Sequence, residues 1–233
     1  MSDRSQNGQF VVLACCAVVV VLHQATHWPW FIEDAAICFA YARNIATGEG
    51  AVPFPGGERI EAYSDPLWVA LLALFHFLGV DGWTASKPLG MAFGVAALWP
   101  VWRLARIALP DHRGAGALLA PILLSLNAQF AIWSASGLEN GLFGFLLAMA
   151  LWRSSLEARD GGPPWSAGWF LLLAWTRPEG LLYAAAGGLW FWIAAHRAGR
   201  GLRPVLLWVA AFWGPSLALE ALRIAYFLSL IHI

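Results

Sequence analysis

Apolar residues in this chain gather into long runs, interrupted by short polar stretches, rather than into alternating or narrow helical stripes. The first run, Phe10 to about His27, covers 18 residues, and a membrane-spanning helix needs ~20 largely apolar residues with ~17 near the lower limit. Val12-Leu13-Ala14-Cys15 faintly resembles a lipoprotein box, but almost no apolar sequence precedes it. No small-x-small cleavage site follows the run, so it reads as an uncleaved first helix and not as a signal peptide. Pro66 to Gly79 is a run of only 14 residues, a length that suits an interfacial or re-entrant helix. Further candidate spans follow at about Pro88–Trp102 extending to Ile107, Ala115–Trp133, Gly141–Trp152, Trp165–Thr176, Leu181–Ala195 and Pro204–Leu222. Gly141–Trp152 and Trp165–Thr176 are short and need polar neighbours to complete their ends.

Composition agrees with the pattern. Of 233 residues 60% are apolar and 12% charged, about half the roughly 25% charge of soluble chains, and the mean hydropathy is +0.62. The formal charge is zero, from 14 basic and 14 acidic residues, which argues against a nucleic-acid binder or a polybasic membrane-surface protein. Cys15, Cys16 and Cys38 are too few for a disulfide framework or zinc site.

Arginine placement supplies an orientation. If the clusters Arg103/Arg106/Arg113, Arg153/Arg159 and Arg197/Arg200/Arg203 share the cytoplasmic side with Arg4, that side holds nine basic and four acidic residues, against five and ten outside. Such a split requires an even number of crossings between clusters. It therefore makes Pro66–Gly79 non-spanning and Trp165–Ala195 a hairpin turning at Thr176-Arg177-Pro178-Glu179-Gly180. The expected fold class is all-α: a polytopic membrane protein of about seven transmembrane helices, N-terminus inside, with two interfacial helices in the first outer loop. The 15 Trp residues fit aromatic belts at both interfaces.

That first outer loop, residues 28–87, carries seven acids: Glu33, Asp34, Glu49, Glu58, Glu61, Asp65 and Asp81. Ile37, Ala40, Tyr41 and Ile45 stand at helical spacing, so Ile32–Thr47 reads as a helix lying on the membrane. Gly48, Gly50, Pro53, Pro55, Gly56 and Gly57 break it. Tyr63-Ser64-Asp65-Pro66 opens the second interfacial helix, with Ser64 or Asp65 as N-cap and Pro66 in the first turn. Glu33 and Asp34 sit where the chain leaves the membrane, as simple helix-start acids or as a general base at the membrane–water boundary. Glu139 and Glu179, the latter beside Arg177, fall on two other outer loops; they either line a shared cavity with the pair or are solvated loop residues.

Three segments together carry a family resemblance. They are EDAAICFAYARNIATGEGAVPFPGGERIEAYSDPLW (Glu33–Trp68), SGLENGLFGFLLAMALW (Ser136–Trp152) and TRPEGLL (Thr176–Leu182). In order and spacing they resemble the extracytoplasmic-face glycosyltransferases of the GT-C fold, and most of all the bacterial group containing the mycobacterial arabinofuranosyltransferases. In that group the first outer loop begins with a paired acid and an aromatic-rich helix ending in Ala-Arg-Asn, here reaching Arg43. A Gly-rich loop and a Glu-Gly-Tyr-Thr/Ser-Asn-Pro-Leu-Trp element follow. This chain departs from it with Glu33-Asp34 for the usual Asp-Asp, Ala36 and Ala40 for a common aromatic and Arg, and Ala62 for Gly.

The resemblance implies a polyprenyl-phosphate-linked sugar donor delivered from within the membrane and a cell-envelope glycan or lipid acceptor on the outer face. Transfer is then expected to invert the anomeric centre, with a carboxylate as general base. That base is assigned to the Glu33/Asp34 pair, Asp34 slightly preferred because the family's acids are Asp. Arg177 is the candidate partner of the leaving phosphate, or else an ion pair with Glu179 fixing the turn. Glu139, Glu179 and Arg43 complete the expected substrate-binding set.

No cofactor is expected. His23 and His27 have metal-ligand spacing but also read as an ordinary polar pair at a membrane exit. No Walker A loop, Rossmann glycine fingerprint or H-E-x-x-H occurs. The alternative functions are a non-catalytic membrane scaffold and a transporter, for which Asn127, Gln129 and Glu220 are the polar residues to watch. The final residues, Leu228-Ser-Leu-Ile-His-Ile233, are the peptide that CTG TCT CTT ATA CAC ATC, a transposon-end sequencing adapter, would encode. Residues 228–233 are therefore expected to be read-through, and residues 1–227 a truncated N-terminal transmembrane module.

Overall fold

A computed structural model describes residues 3–109 and 116–227. Arg113 and the 228–233 segment lie outside the described residues. Ten α-helices follow in order: α1 Asp3–Ala25, α2 Ala35–Ala46, α3 Pro66–Phe77, α4 Gly82–Ala108, α5 Leu119–Ser125 (entered by a 3-10 turn at Gly116–Leu118), α6 Ala128–Ser134, α7 Asn140–Asp160, α8 Trp165–Thr176, α9 Gly180–Arg197 and α10 Arg203–Phe227. No strand occurs among the described residues. The all-α expectation holds at that level.

Two helices, Asn7–Ala25 and Arg203–Phe227, are long and apolar enough to cross a membrane. Gly116–Ser125 and Ala128–Ser134 make a third candidate if taken as one span, bent by 57°. The break falls at Leu126-Asn127, where the Asn127 side chain accepts from Phe130 N at 3.0 Å and caps α6. α8, at 12 residues, is only about 18 Å long, well short of the ~30 Å hydrocarbon core. Apolar side chains nevertheless face outward all round the bundle. Phe77, Leu182, Leu206 and Leu222 are 75%, 74%, 64% and 68% exposed, a pattern that belongs in lipid rather than water.

Close backbone approach sets the centre. Gly90 and Gly94 lie on one face of α4, and a Cβ on Gly141 of α7 would run into the Gly90 carbonyl oxygen. A Cβ on Gly90 would in turn meet the Ser134 carbonyl at the end of α6. Small residues at such spacing let membrane helices touch without side chains between them. Around this contact Trp68, Leu72, Phe170, Leu173 and Phe212 form one continuous buried core drawn from α3, α8 and α10.

The described residues form two chemically distinct ends. At one end Phe10 stacks on Trp99, and Arg103 and Arg106 face Trp152 and Arg159. There too Arg200 donates to the Glu157 carbonyl oxygen at 2.6 Å. At the other end the 26–65 loop meets the 135–139 loop, the 177–179 turn and the last turns of α10. Glu61 accepts from Arg223 Nε and Nη2 at 2.8 and 3.0 Å, and Ala51 N donates to the Tyr226 hydroxyl at 2.9 Å.

Both helices of the 28–87 segment form. Ile37 and Ile45 point outward, and the buried stripe is Ala35, Cys38, Phe39, Tyr41 and Ala42. α2 packs this stripe on α3, whose Trp68, Val69 and Leu72 are buried beneath it.

Candidate active site

The carboxylate-rich end is assembled around one buried cation. Lys87, 1% exposed, donates its ammonium to the carbonyl oxygens of His27 at 3.3 Å, Ala135 at 2.7 Å and Trp30. It ties the exit of α1 to the loop between α6 and α7. Ile32 N donates to Ser136 O at 3.2 Å, and the Trp68 indole donates to Gly137 O at 3.3 Å. Gly137 has φ +94° and lies against Phe31 and Ala35, so both its backbone and its space exclude a side chain.

These ties bring parts of all three sequence segments to one open cavity of about 820 Å3. Asp34 enters from the start of α2, Asn140 and Phe143 from α7, and Arg177 and Glu179 from the turn between α8 and α9. Leu124, Asn127, Phe130 and Trp133, on either side of the helix break, form a largely apolar wall. Asp34 occupies the N-cap position of α2, yet its side chain makes no cap hydrogen bond. Its carboxylate is therefore not engaged as a helix cap.

Arg177 lies at the centre of the acidic groups. Nη1 donates to Glu139 at 2.8 Å, and Nη2 and Nε donate to Glu179 at 3.0 and 3.3 Å. The expected turn-fixing pair with Glu179 is thus present, and so is a tie to a residue 38 positions away. The two partners differ in exposure: the Glu139 side chain is 5% exposed and that of Glu179 51%. Hydrogen bonding to Arg177 holds the Glu179 carboxyl below its usual range.

Behind Glu139 stands Asp65. It takes the expected N-cap position of α3, followed by Pro66, but its carboxyl caps nothing. Instead it is 3% exposed and receives the Cys38 thiol, at 3.2 Å to Oδ2. Burial first, and then the charge of Glu139, push its pKa up to about 8. The raised pKa favours the protonated form of Asp65, beside the Glu139 carboxylate. A chain results, from Asp65 through Glu139 to Arg177 and the cavity.

Of the residues singled out from sequence, Asp34, Arg177 and Glu179 share the cavity wall, and Glu139 holds Arg177 from behind. Glu33 is exposed and does not line the cavity. Arg43 stays apart as well, its Nε donating to the Asn44 side chain at 3.2 Å. Asp65 was missed because Asp before Pro reads as a helix cap; Lys87 was missed because nothing in a sequence marks three converging carbonyls. The His23 and His27 rings lie 6.2 Å apart, and no group of three or more His, Cys, Asp or Glu is placed to hold a metal ion among the described residues. Compared with protein-family models, curated proteins and solved structures, the chain has no match.

Proposed function

We propose that the protein is a multi-pass glycosyltransferase of the plasma membrane, moving a sugar from a polyprenyl-phosphate donor to a cell-envelope glycan or lipid acceptor on the extracytoplasmic side. In this reading seven helical segments cross the membrane, the arginine-rich end faces the cytoplasm, and the carboxylate-rich end faces out. α8 crosses as part of the bundle, its short ends completed by Arg177 and by its neighbours. The observation that carries the reading is convergence. The three segments that resemble the GT-C enzymes are separated by tens of residues, and each contributes a polar group to the same cavity wall: Asp34, Asn140 and Arg177.

The chemistry follows from what those groups do. Asp34 takes the proton of the acceptor hydroxyl as its oxygen bonds to the anomeric carbon. The bond from that carbon to the phosphate oxygen breaks with its electron pair leaving on the phosphate, through an oxocarbenium-like state. Arg177 neutralises the charge gathering on the phosphate. Its two carboxylates leave room for this, because the exposed Glu179 is the exchangeable partner and the buried Glu139 keeps the guanidinium aimed. The apolar wall formed by Leu124, Phe130 and Trp133 suits the first isoprene units. Asp65 stands where the family element carries Asn. A protonated carboxyl is close to an amide in shape and also donates, so the substitution is conservative in this site.

The reading is tested by photolabelling membranes that contain the chain with a diazirine-bearing polyprenyl phosphate. Labelled peptides from α6, α7 and α9 that disappear in Arg177→Gln are the expected result. Labelling confined to the outward faces of α1 and α10, and indifferent to Arg177→Gln, would overturn it. The bent α5–α6 pair favours a second reading, a transporter, because broken helices there line substrate sites. Uptake of a sugar phosphate into proteoliposomes, with no covalent transfer, would distinguish it.

A further inference from the structure

The arginine-rich end holds a small polar cavity that the proposed transfer site does not use. It lies between the last turns of α4 and α7, has a volume of about 180 Å3, and is lined by Arg103, Arg106, Ile107, Trp152, Leu156 and Arg159. Three guanidinium-bearing residues border one void, and no carboxylate is among its lining residues. Arg159 has its own counter-ion: Nε and Nη2 each donate to Asp160 at 2.7 Å. Arg103 and Arg106 have no carboxylate partner among the described residues.

What they have instead is aromatic support. The Arg103 guanidinium lies over the rings of Trp99 and Trp152, at 5.4 and 4.8 Å, and that of Arg106 over Trp102 at 4.9 Å. Stacking of this kind fixes the plane of the fork and leaves its edge N–H groups free. The indole N–H of Trp152 is buried and has no acceptor among the described residues. The carbonyl end of α7 does not need these arginines either. Arg200 already serves it, donating to the carbonyl oxygens of Glu157, Ala158 and Arg159 at 2.6, 3.0 and 3.3 Å.

Two half-buried cations with no carboxylate partner among the described residues, held by aromatic rings beside a donor with no acceptor among them, suit an oxyanion. Size narrows the ligand. A void of 180 Å3 holds about six waters at ~30 Å3 each, enough for a phosphate group with its ester oxygens. It is below the ~300 Å3 at which ordinary small-molecule sites begin, so the void itself takes a phosphate-sized group and leaves the rest of a larger ligand outside. Trp99, Trp102 and Trp152 place the cavity at the level where aromatic residues meet a bilayer interface, and basic pockets between membrane helices bind lipid head groups.

We propose that the cavity between α4 and α7 binds the phosphate of an anionic ligand at the arginine-rich end, either a phospholipid head group or a free phosphate. The site is independent of the transferase reading, being at the opposite end of the bundle.

Native mass spectrometry of the detergent-purified chain tests this, with phosphatidylglycerol and phosphatidylcholine as lipid probes and inorganic phosphate as the free anion. Wild type is compared with Arg103→Gln/Arg106→Gln and with Arg197→Gln/Arg203→Gln, which removes the same charge outside the cavity. Phosphatidylglycerol occupancy is expected to fall about tenfold in the first variant and to persist in the second. Millimolar phosphate that displaces phosphatidylglycerol identifies the head group alone as the determinant; failure to displace it assigns the site to the lipid. Equal occupancy in both double variants, or phosphatidylcholine bound as well as phosphatidylglycerol, would overturn the proposal. Arg106→Lys, which keeps the charge and loses the fork, gives a milder check should the double variant not fold. Reduced occupancy supports the site, and wild-type occupancy overturns it.

Discussion

Asp65 shows how one buried carboxyl couples the site to pH. Its folded pKa of about 8 lies far above the ~3.9 of an unfolded Asp. Between those values the folded chain holds a proton that the unfolded chain has released, so stability is greatest on the acid side and declines as pH rises through that window. Asp65→Asn keeps the shape and the donor and removes the titration. Thermal unfolding in detergent at pH 5, 6.5 and 8 is expected to show wild type weakening more steeply with pH than the variant, which is at least as stable as wild type at pH 8. Equal slopes would contradict a buried, protonated Asp65. Asp34, Arg177, Glu139 and Glu179 were legible in the sequence as polar residues on one face of a membrane pattern, where charge is costly and its placement informative. Which of Glu33 and Asp34 faces the cavity was not. Adjacent residues differ only in the direction a helix start gives them, and that direction depends on Lys87 anchoring the preceding loop.

At the scale of elements, contact between α4 and α7 depends on glycine at two positions. Gly141→Ala drives a methyl group into the Gly90 carbonyl oxygen and is expected to destabilise by about 1–3 kcal/mol. Gly168→Ala, with open space at its α8 position, is expected to be neutral or to stabilise by up to about 1 kcal/mol. Unfolding of the two variants side by side checks this; equal effects would mean that α4 and α7 do not meet as described. Hydrophobic runs in the sequence located every long helix, because run length is what a bilayer reads. They did not locate the break at Asn127, whose capping of α6 requires only a single polar side chain in an apolar run. Nor did the apolar spacing of α2 identify its buried face. Ile37 and Ile45 are as apolar as the residues that pack on α3, and in lipid an outward Ile is no less at home than a buried one.

Over the whole molecule, charge is unevenly divided. Arg103, Arg106, Arg153, Arg159 and Arg200 gather at one end with Glu157 and Asp160, and Glu33, Asp34, Asp65, Glu139 and Glu179 at the other with Lys87, Arg177 and Arg223. With Cys15, Cys16 and Cys38 replaced by Ser, Glu58→Cys and Ala198→Cys, both at exposed positions, are expected to react with an impermeant thiol reagent from opposite sides of sealed vesicles. Labelling of both from one side would break the proposed orientation.

The most direct test is sugar transfer itself. Membranes from cells expressing the gene as it stands in its genome are supplied with polyprenyl-phosphate sugars and an envelope acceptor, for wild type, Asp34→Asn and Glu33→Gln. Transfer present in wild type and Glu33→Gln, and reduced at least a hundredfold in Asp34→Asn with equal protein in the membrane, is the expected result. Transfer unchanged by Asp34→Asn would contradict a carboxylate-dependent site in the 820 Å3 cavity.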